Sequence, residues 1–161
     1  MRNFFGIRSL TVLAAAFLVL LSVPLHAQTA DKLEALFNKQ VLSWSDSVVF
    51  VLEASDTEVF DDASTAFNFA LEHNWLPKNA AIGDLVSLKG LSLLLMRSFD
   101  FKGGIFYSLT KSPHYAYREL IYKGIIRGRT DPDMNVSGQE LLLLINRLLA
   151  LKEKESGQEV K

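Results

Sequence analysis

The chain has no cysteine. That excludes disulfides, thiolate nucleophiles, thiolate metal sites and lipid attachment at a cysteine. Histidine is almost as scarce, at 3 in 161 residues. Only His73 and His114 lie beyond the N-terminal stretch and could serve imidazole chemistry. There is no glycine-framed serine, phosphate-binding loop or metal-ligand cluster. Nor is there a surplus of positive charge: 17 basic residues stand against 18 acidic ones. Nucleic-acid-binding domains show a basic patch or a high isoelectric point, so nucleic acid finds no support as a partner. No cofactor fingerprint occurs, and the expectation is of a protein without cofactor, metal or catalytic apparatus.

What is present starts with a leader. Arg2 and Arg8 precede an uncharged apolar run from Leu10 to Leu25. Pro24 interrupts the run, and Leu25-His26-Ala27 offers a small residue for cleavage. Residues 1–27 have the layout of a secretory signal peptide, with a retained membrane span as the rival reading. The expectation is therefore an exported protein of the periplasm or cell envelope, without a transmembrane segment once the leader is removed. The leader holds two of the 17 basic residues and none of the 18 acidic ones, which leaves 15 against 18, a net charge of −3. The remaining 134 residues suffice for one apolar core, expected over 28–152, with a disordered polar tail over 153–161.

The strongest internal feature is a repeat. Residues 66–99 align without a gap on residues 116–149, at an offset of 50. Ala66 falls on Ala116, Val86-Ser87 on Val136-Ser137, Leu91 on Leu141, Leu93-Leu94 on Leu143-Leu144 and Arg97 on Arg147. Such units cannot bury their apolar faces alone and stack together.

Periodicity and capping signals give an all-α chain. Helices are expected over Thr29–Phe37, Ser43–Ala54, Ser64–Asn74, Ser87–Phe99, Pro113–Gly124 and Ser137–Leu151, with a strand as the rival reading of the β-branched run Val48–Leu52. Ser43 with Asp46, and Ser137 with Glu140, have the spacing of capping boxes. Asn74 and Gly124 stand at equivalent repeat positions and tolerate the left-handed backbone of a helix end. Asp100–Ser112, with Gly103-Gly104, reads as a loop with a short extended piece. The leucine-rich Ser87–Phe99 helix is apolar nearly all round and should be enclosed by neighbours.

His114-Tyr115-Ala116, Gly124-Ile125-Ile126-Arg127-Gly128, Pro132 and Val136-Ser137-Gly138-Gln139-Glu140 together resemble an S-layer homology repeat. Phe60-Asp61-Asp62, Asn74-Trp75-Leu76 and Val86-Ser87 resemble a second, degenerate copy, and Ser43-Trp44-Ser45-Asp46 the second helix of a third. The resemblance implies a pseudo-threefold bundle of helix–loop–helix units that binds cell-wall polysaccharide or peptidoglycan. Ser87, Gly124, Gly128, Pro132, Ser137 and Glu140 are its structural positions here. The family's ligand-contacting arginine is replaced by Trp44, Leu88 and Gly138.

Candidate contacts follow. Arg118, Lys123, Arg127 and Arg129 form a basic cluster that could hold an anionic glycan or a phosphate, or simply form a solvated helix end. Tyr107, Lys111 and Tyr115 flank the long loop and could meet a sugar or a partner surface. Trp44 and Trp75 read as packing residues. Asp131-x-Asp133-x-Asn135 resembles the start of a calcium loop, but Val136 and Leu142 stand where glycine and the acidic ligand are required. Arg97 and Arg147, in apolar helices, each need a buried carboxylate or a carbonyl to cap. The leading expectation is a non-catalytic envelope protein binding wall polymer or an envelope partner. The alternatives are an assembly subunit without glycan affinity and, weakest, a small exported hydrolase using His114 or Asp61.

Overall fold

The structure is a computed structural model that describes residues 24–60 and 62–158. Most of the leader, Asp61 and the last three residues lie outside the described residues. Seven helices and no strand occur among them: α1 Pro24–Phe37, α2 Trp44–Ala54, α3 Ala63–Glu72, α4 Leu88–Ser98, α5 Ile105–Thr110, α6 Pro113–Tyr122 and α7 Gly138–Gln158. The chain divides into two compact units after Leu36. The first unit's described part is α1 up to Leu36, and the helix includes residues ahead of the expected Thr29. The second unit holds everything that follows.

Serine residues start the helices as their types require. Ser87 Oγ accepts the Gly90 amide, Ser112 Oγ the Tyr115 amide and Ser137 Oγ the Glu140 amide. Ser43 makes the reciprocal arrangement, its amide donating to Asp46 Oδ2 at 3.1 Å. Asp62 caps α3 by accepting the amides of Ser64 and Thr65, both at 2.9 Å. Each such cap satisfies amides that the helix leaves without partners.

Four helices end in one way. Asp56, Asn74, Asp100 and Gly124 take the left-handed backbone, with φ between 53° and 72°. The next residue's amide then reaches back five positions: Thr57 to Leu52, Trp75 to Ala70, Phe101 to Met96 and Ile125 to Leu120. This geometry turns the chain sharply out of α2, α3, α4 and α6.

The residues just before three serine caps bond to one another in a cycle. Val86 N–H donates to Leu42 O at 2.8 Å, Leu42 N–H to Val136 O at 2.9 Å and Val136 N–H to Val86 O at 3.0 Å. All three side chains are fully buried. The starts of α2, α4 and α7 are thereby tied together. Packing pairs run across the repeat boundary rather than within a hairpin: α2 lies on α3, and α4 on α6. The core is built from Val48, Leu52, Leu88, Leu91, Leu94, Leu120, Leu141 and Leu148, none of which reaches solvent. As its composition requires, α4 is enclosed through Leu88, Leu91, Leu93, Leu94, Leu95 and Met96.

Several expectations are corrected here. The Asp100–Ser112 segment holds a helix, α5, and no extended piece. Gly103 and Gly104 serve as its lead-in, and a Cβ at Gly103 would fall 2.5 Å from the Tyr107 ring. The final helix runs through 153–158, past the expected boundary at Lys152. Leu71 of α3 and Ile121 of α6, at equivalent repeat positions, are exposed. Trp44 is buried as expected, whereas Trp75 is only half-buried, in a cluster with Phe69 and His73.

Candidate functional site

The end of α4, the turn after it and the C-terminal half of α7 enclose a cleft of about 530 Å³. Its floor comes from the Asp100 turn. Because Asp100 is left-handed, the chain reverses and Phe101 returns to within 6.4 Å of Phe99, ring centre to ring centre and nearly parallel. Both rings are almost wholly buried, so only a sliver of each faces the cleft.

Lysines occupy the space above them. Lys123 Nζ lies 5.5 Å from the Phe101 ring centre and Lys152 Nζ 5.8 Å from that of Phe99. An ammonium over an aromatic face is attracted by the ring quadrupole, and the ring also fixes a side chain that would otherwise swing freely. Lys102 completes the basic lining, while Asp100 and Glu155 supply carboxylates. Lys123 pairs with Glu155 at 3.7 Å.

Lys123 also lines a smaller groove of about 140 Å³, with Arg127, Arg147 and Lys154. Arg127 Nε donates to Gly124 O at 2.8 Å, and Arg147 Nη1 donates to Ile125 O at 2.7 Å. Both guanidiniums thus cap carbonyls at the end of α6, a favourable place for cations. Across the cleft and groove, six cations face two carboxylates in a chain of net charge −1. The surface can hold a multiply charged anion.

Of the basic cluster expected from sequence, Lys123 and Arg127 are brought together here. Arg118 and Arg129 are exposed and line neither space. Tyr107 is corrected outright: it is 1% exposed and cannot meet a ligand. Its hydroxyl has no hydrogen-bond partner, and burial pushes its pKa up to about 12, with the Arg97 charge opposing and Asp100 and Glu119 adding to the rise. Lys111 lies 4.9 Å over the Tyr107 ring, and Tyr115 stacks on Phe106. Those side chains belong to the α5 surface and not to the cleft. Sequence reading missed Phe99, Phe101, Lys102, Lys152 and Lys154. The signal was there for Lys152, which follows Leu148 by four residues and continues the buried row of the last helix, but a polar tail conceals it.

The structural positions behave as their types demand. Gly124 and Gly128 have positive φ, 72° and 85°. Pro132 O accepts the Lys89 amide at 2.8 Å. Trp44, Leu88 and Gly138, which stand where the resembled motif carries an arginine, are all buried. Asp133 pairs with Lys89, and Asp131 accepts the Asp133 amide at 2.9 Å. Among the described residues no group of three or more His, Asp or Glu is placed to hold a metal ion. His114 is exposed, edge-on to Tyr115 at 5.4 Å. Asp61 lies outside the described residues. No helix among those described is long and apolar enough to cross a membrane. No family model, curated protein or solved structure matches the chain.

Proposed function

We propose that this is an exported, non-catalytic envelope protein that binds an anionic cell-wall polymer in the cleft above Phe99 and Phe101. The single observation that carries the reading is the pair of ammonium groups, Lys123 and Lys152, held over those two rings. Anionic wall polymers carry repeated negative charge, and the cleft and its neighbouring groove offer six cations to meet it. The leader pattern of residues 1–27 supports export, and the bonded cycle through Leu42, Val86 and Val136 supports three related helical units of the S-layer homology kind. On this reading the ancestral arginine site is gone, its positions absorbed into the core, and binding has moved to the outer end of α7.

Co-sedimentation with purified wall polymer tests it. The protein should pellet with the polymer and be released by salt, because exposed charges are screened. Lys123→Glu with Lys152→Glu should abolish pelleting, while Arg118→Glu, off the cleft, should leave it intact. A wild-type protein that stays in the supernatant sinks the reading. The second reading, an assembly subunit without glycan affinity, draws on large side chains left in solvent, such as Tyr122 and Val59, which are 90% and 78% exposed. A defined oligomer or a co-purifying partner, together with no polymer binding, would select it.

A further inference from the structure

We propose that α5 docks the protein on an anionic lipid bilayer, with Ile105, Phe106 and Leu109 entering the boundary between headgroups and acyl chains. These three side chains are 83%, 66% and 82% exposed, and they share one short helix. The opposite side of α5 is fixed by Tyr107, which is buried, so the outward aim of the other three is set by packing. Phe106 is held in place by stacking on Tyr115, with ring centres 5.5 Å apart.

The helix is also prepared for a medium poor in water. Its hydroxyls are spent on its own backbone: Ser108 Oγ donates to Gly103 O at 3.1 Å and Thr110 Oγ1 to Phe106 O at 2.8 Å. Glu119 Oε1 accepts the Gly104 amide at 2.9 Å, satisfying a donor at the helix start. Polar groups left without partners would oppose insertion.

Charge identifies the occupant. From Phe101 to Arg118 the chain carries Lys102, Lys111 and Arg118 and no acidic residue, in a protein that is net −1, and the flanking Glu119 carboxylate is taken up by the Gly104 amide. Lysines on either side of an apolar wedge suit a surface of lipid phosphates, where the stem lies along the acyl boundary and the ammonium reaches the headgroups. A protein partner's groove fits less well, because lysine is depleted from interface cores.

The absence of cysteine makes the test site-specific. Ser108→Cys carries an environment-sensitive fluorophore on α5, and Asn68→Cys carries it on α3 as a control. The full chain is reconstituted with vesicles of phosphatidylcholine, with or without phosphatidylglycerol. The expected result is a blue shift at residue 108, quenched by nitroxide-labelled lipid, strong only with phosphatidylglycerol, and no shift at residue 68. Adding Ile105→Ser and Leu109→Ser should abolish the shift, since each buried side chain is worth about tenfold in partitioning. An unchanged circular dichroism spectrum separates lost insertion from unfolding. Should that variant unfold, Lys102→Glu with Lys111→Glu gives the second test, at about fivefold per cation removed. An aqueous emission at residue 108 on phosphatidylglycerol vesicles overturns the proposal. So does an equal shift in neutral vesicles, or a shift without lipid that tracks oligomer formation.

Discussion

The indole of Trp44 lies directly on Gly90, so close that a Cβ at residue 90 would fall 3.1 Å from Cζ2 of the ring. Trp44 opens α2 and Gly90 lies in the first turn of α4, so this contact seats two helices that start from the same bonded cycle. Gly90→Ala gains up to about 1 kcal/mol of helix propensity. It must also displace a ring that is only 3% exposed, and overpacking costs about 1–3 kcal/mol. The net expectation is destabilisation by about 1 kcal/mol, read from urea unfolding. Trp44→Arg should cost more than about 3 kcal/mol, because it buries a charge. A stable Trp44→Arg protein would contradict the packing described.

A second prediction concerns Tyr107. Its hydroxyl is buried without a partner, so the phenol costs more than it returns. Tyr107→Phe should raise stability by about 1 kcal/mol. The unfolded phenol ionises near 10.0, whereas burial holds the folded one protonated to about 12. The unfolded state therefore sheds its proton first, and stability falls as the pH rises through that window. Thermal melts between pH 9 and pH 12 should show a steeper loss for the wild type than for Tyr107→Phe. Equal slopes would mean that the hydroxyl is solvated.

Much of the scaffold is legible in the residues, because caps and periodicity act locally. Ser43, Ser87 and Ser137 mark helix starts by side-chain chemistry alone, and Gly124 and Asn74 mark ends by backbone tolerance. Asp56 and Asp100 fill the same left-handed role as Asn74, yet aspartate is expected at helix starts, and this hides the signal. The short α5 was missed because Gly103-Gly104 reads as loop, while the helix depends on a distant carboxylate, Glu119, for its first amide. The cleft was only partly legible for a different reason. Phe99 and Phe101 are two apart, a strand-like spacing, and they stack only because Asp100 reverses the chain between them.

Two carboxylates should move acid stability in opposite directions. Burial alone would raise the Asp46 carboxyl, but hydrogen bonds from Lys39 and from the Ser43 hydroxyl and amide outweigh it and hold the group below 3.8. Asp46 thus contributes stability above that value, which is lost as the pH falls through its folded pKa. For Glu140 burial wins over the Ser137 amide, and its carboxyl lies above 4.5. Ionised Glu140 therefore costs stability near neutrality, and the cost disappears on acidification. Asp46→Asn should destabilise at pH 7 by about 1 kcal/mol, the worth of a helix cap. Glu140→Gln should stabilise. Both differences from wild type should shrink as melts are repeated at falling pH. A Glu140→Gln variant that melts lower at neutral pH would show that the charge is supporting α7 after all.

The ends of α3 and α6 supply the last prediction, because one geometry is met by two residue types. Asn74 and Gly124 have φ of 56° and 72°, and each is followed by an amide reaching back five positions. A Cβ at Gly124 would meet nothing within 4 Å, so packing cannot oppose a substitution there. Only the backbone can, since an L-residue pays about 1 kcal/mol or more in the left-handed region and asparagine pays less. Gly124→Ala should therefore destabilise by about 1 kcal/mol and Gly124→Asn by less, while Asn74→Gly should be close to neutral. The turn also sets Ile125, whose carbonyl takes Arg147, and Lys123, which lines the cleft. On the proposed reading, Gly124→Ala should thus weaken polymer binding as well as stability, and Gly124→Asn should keep it. Equal stabilities for the two variants would show that strain at this turn does not govern the end of α6.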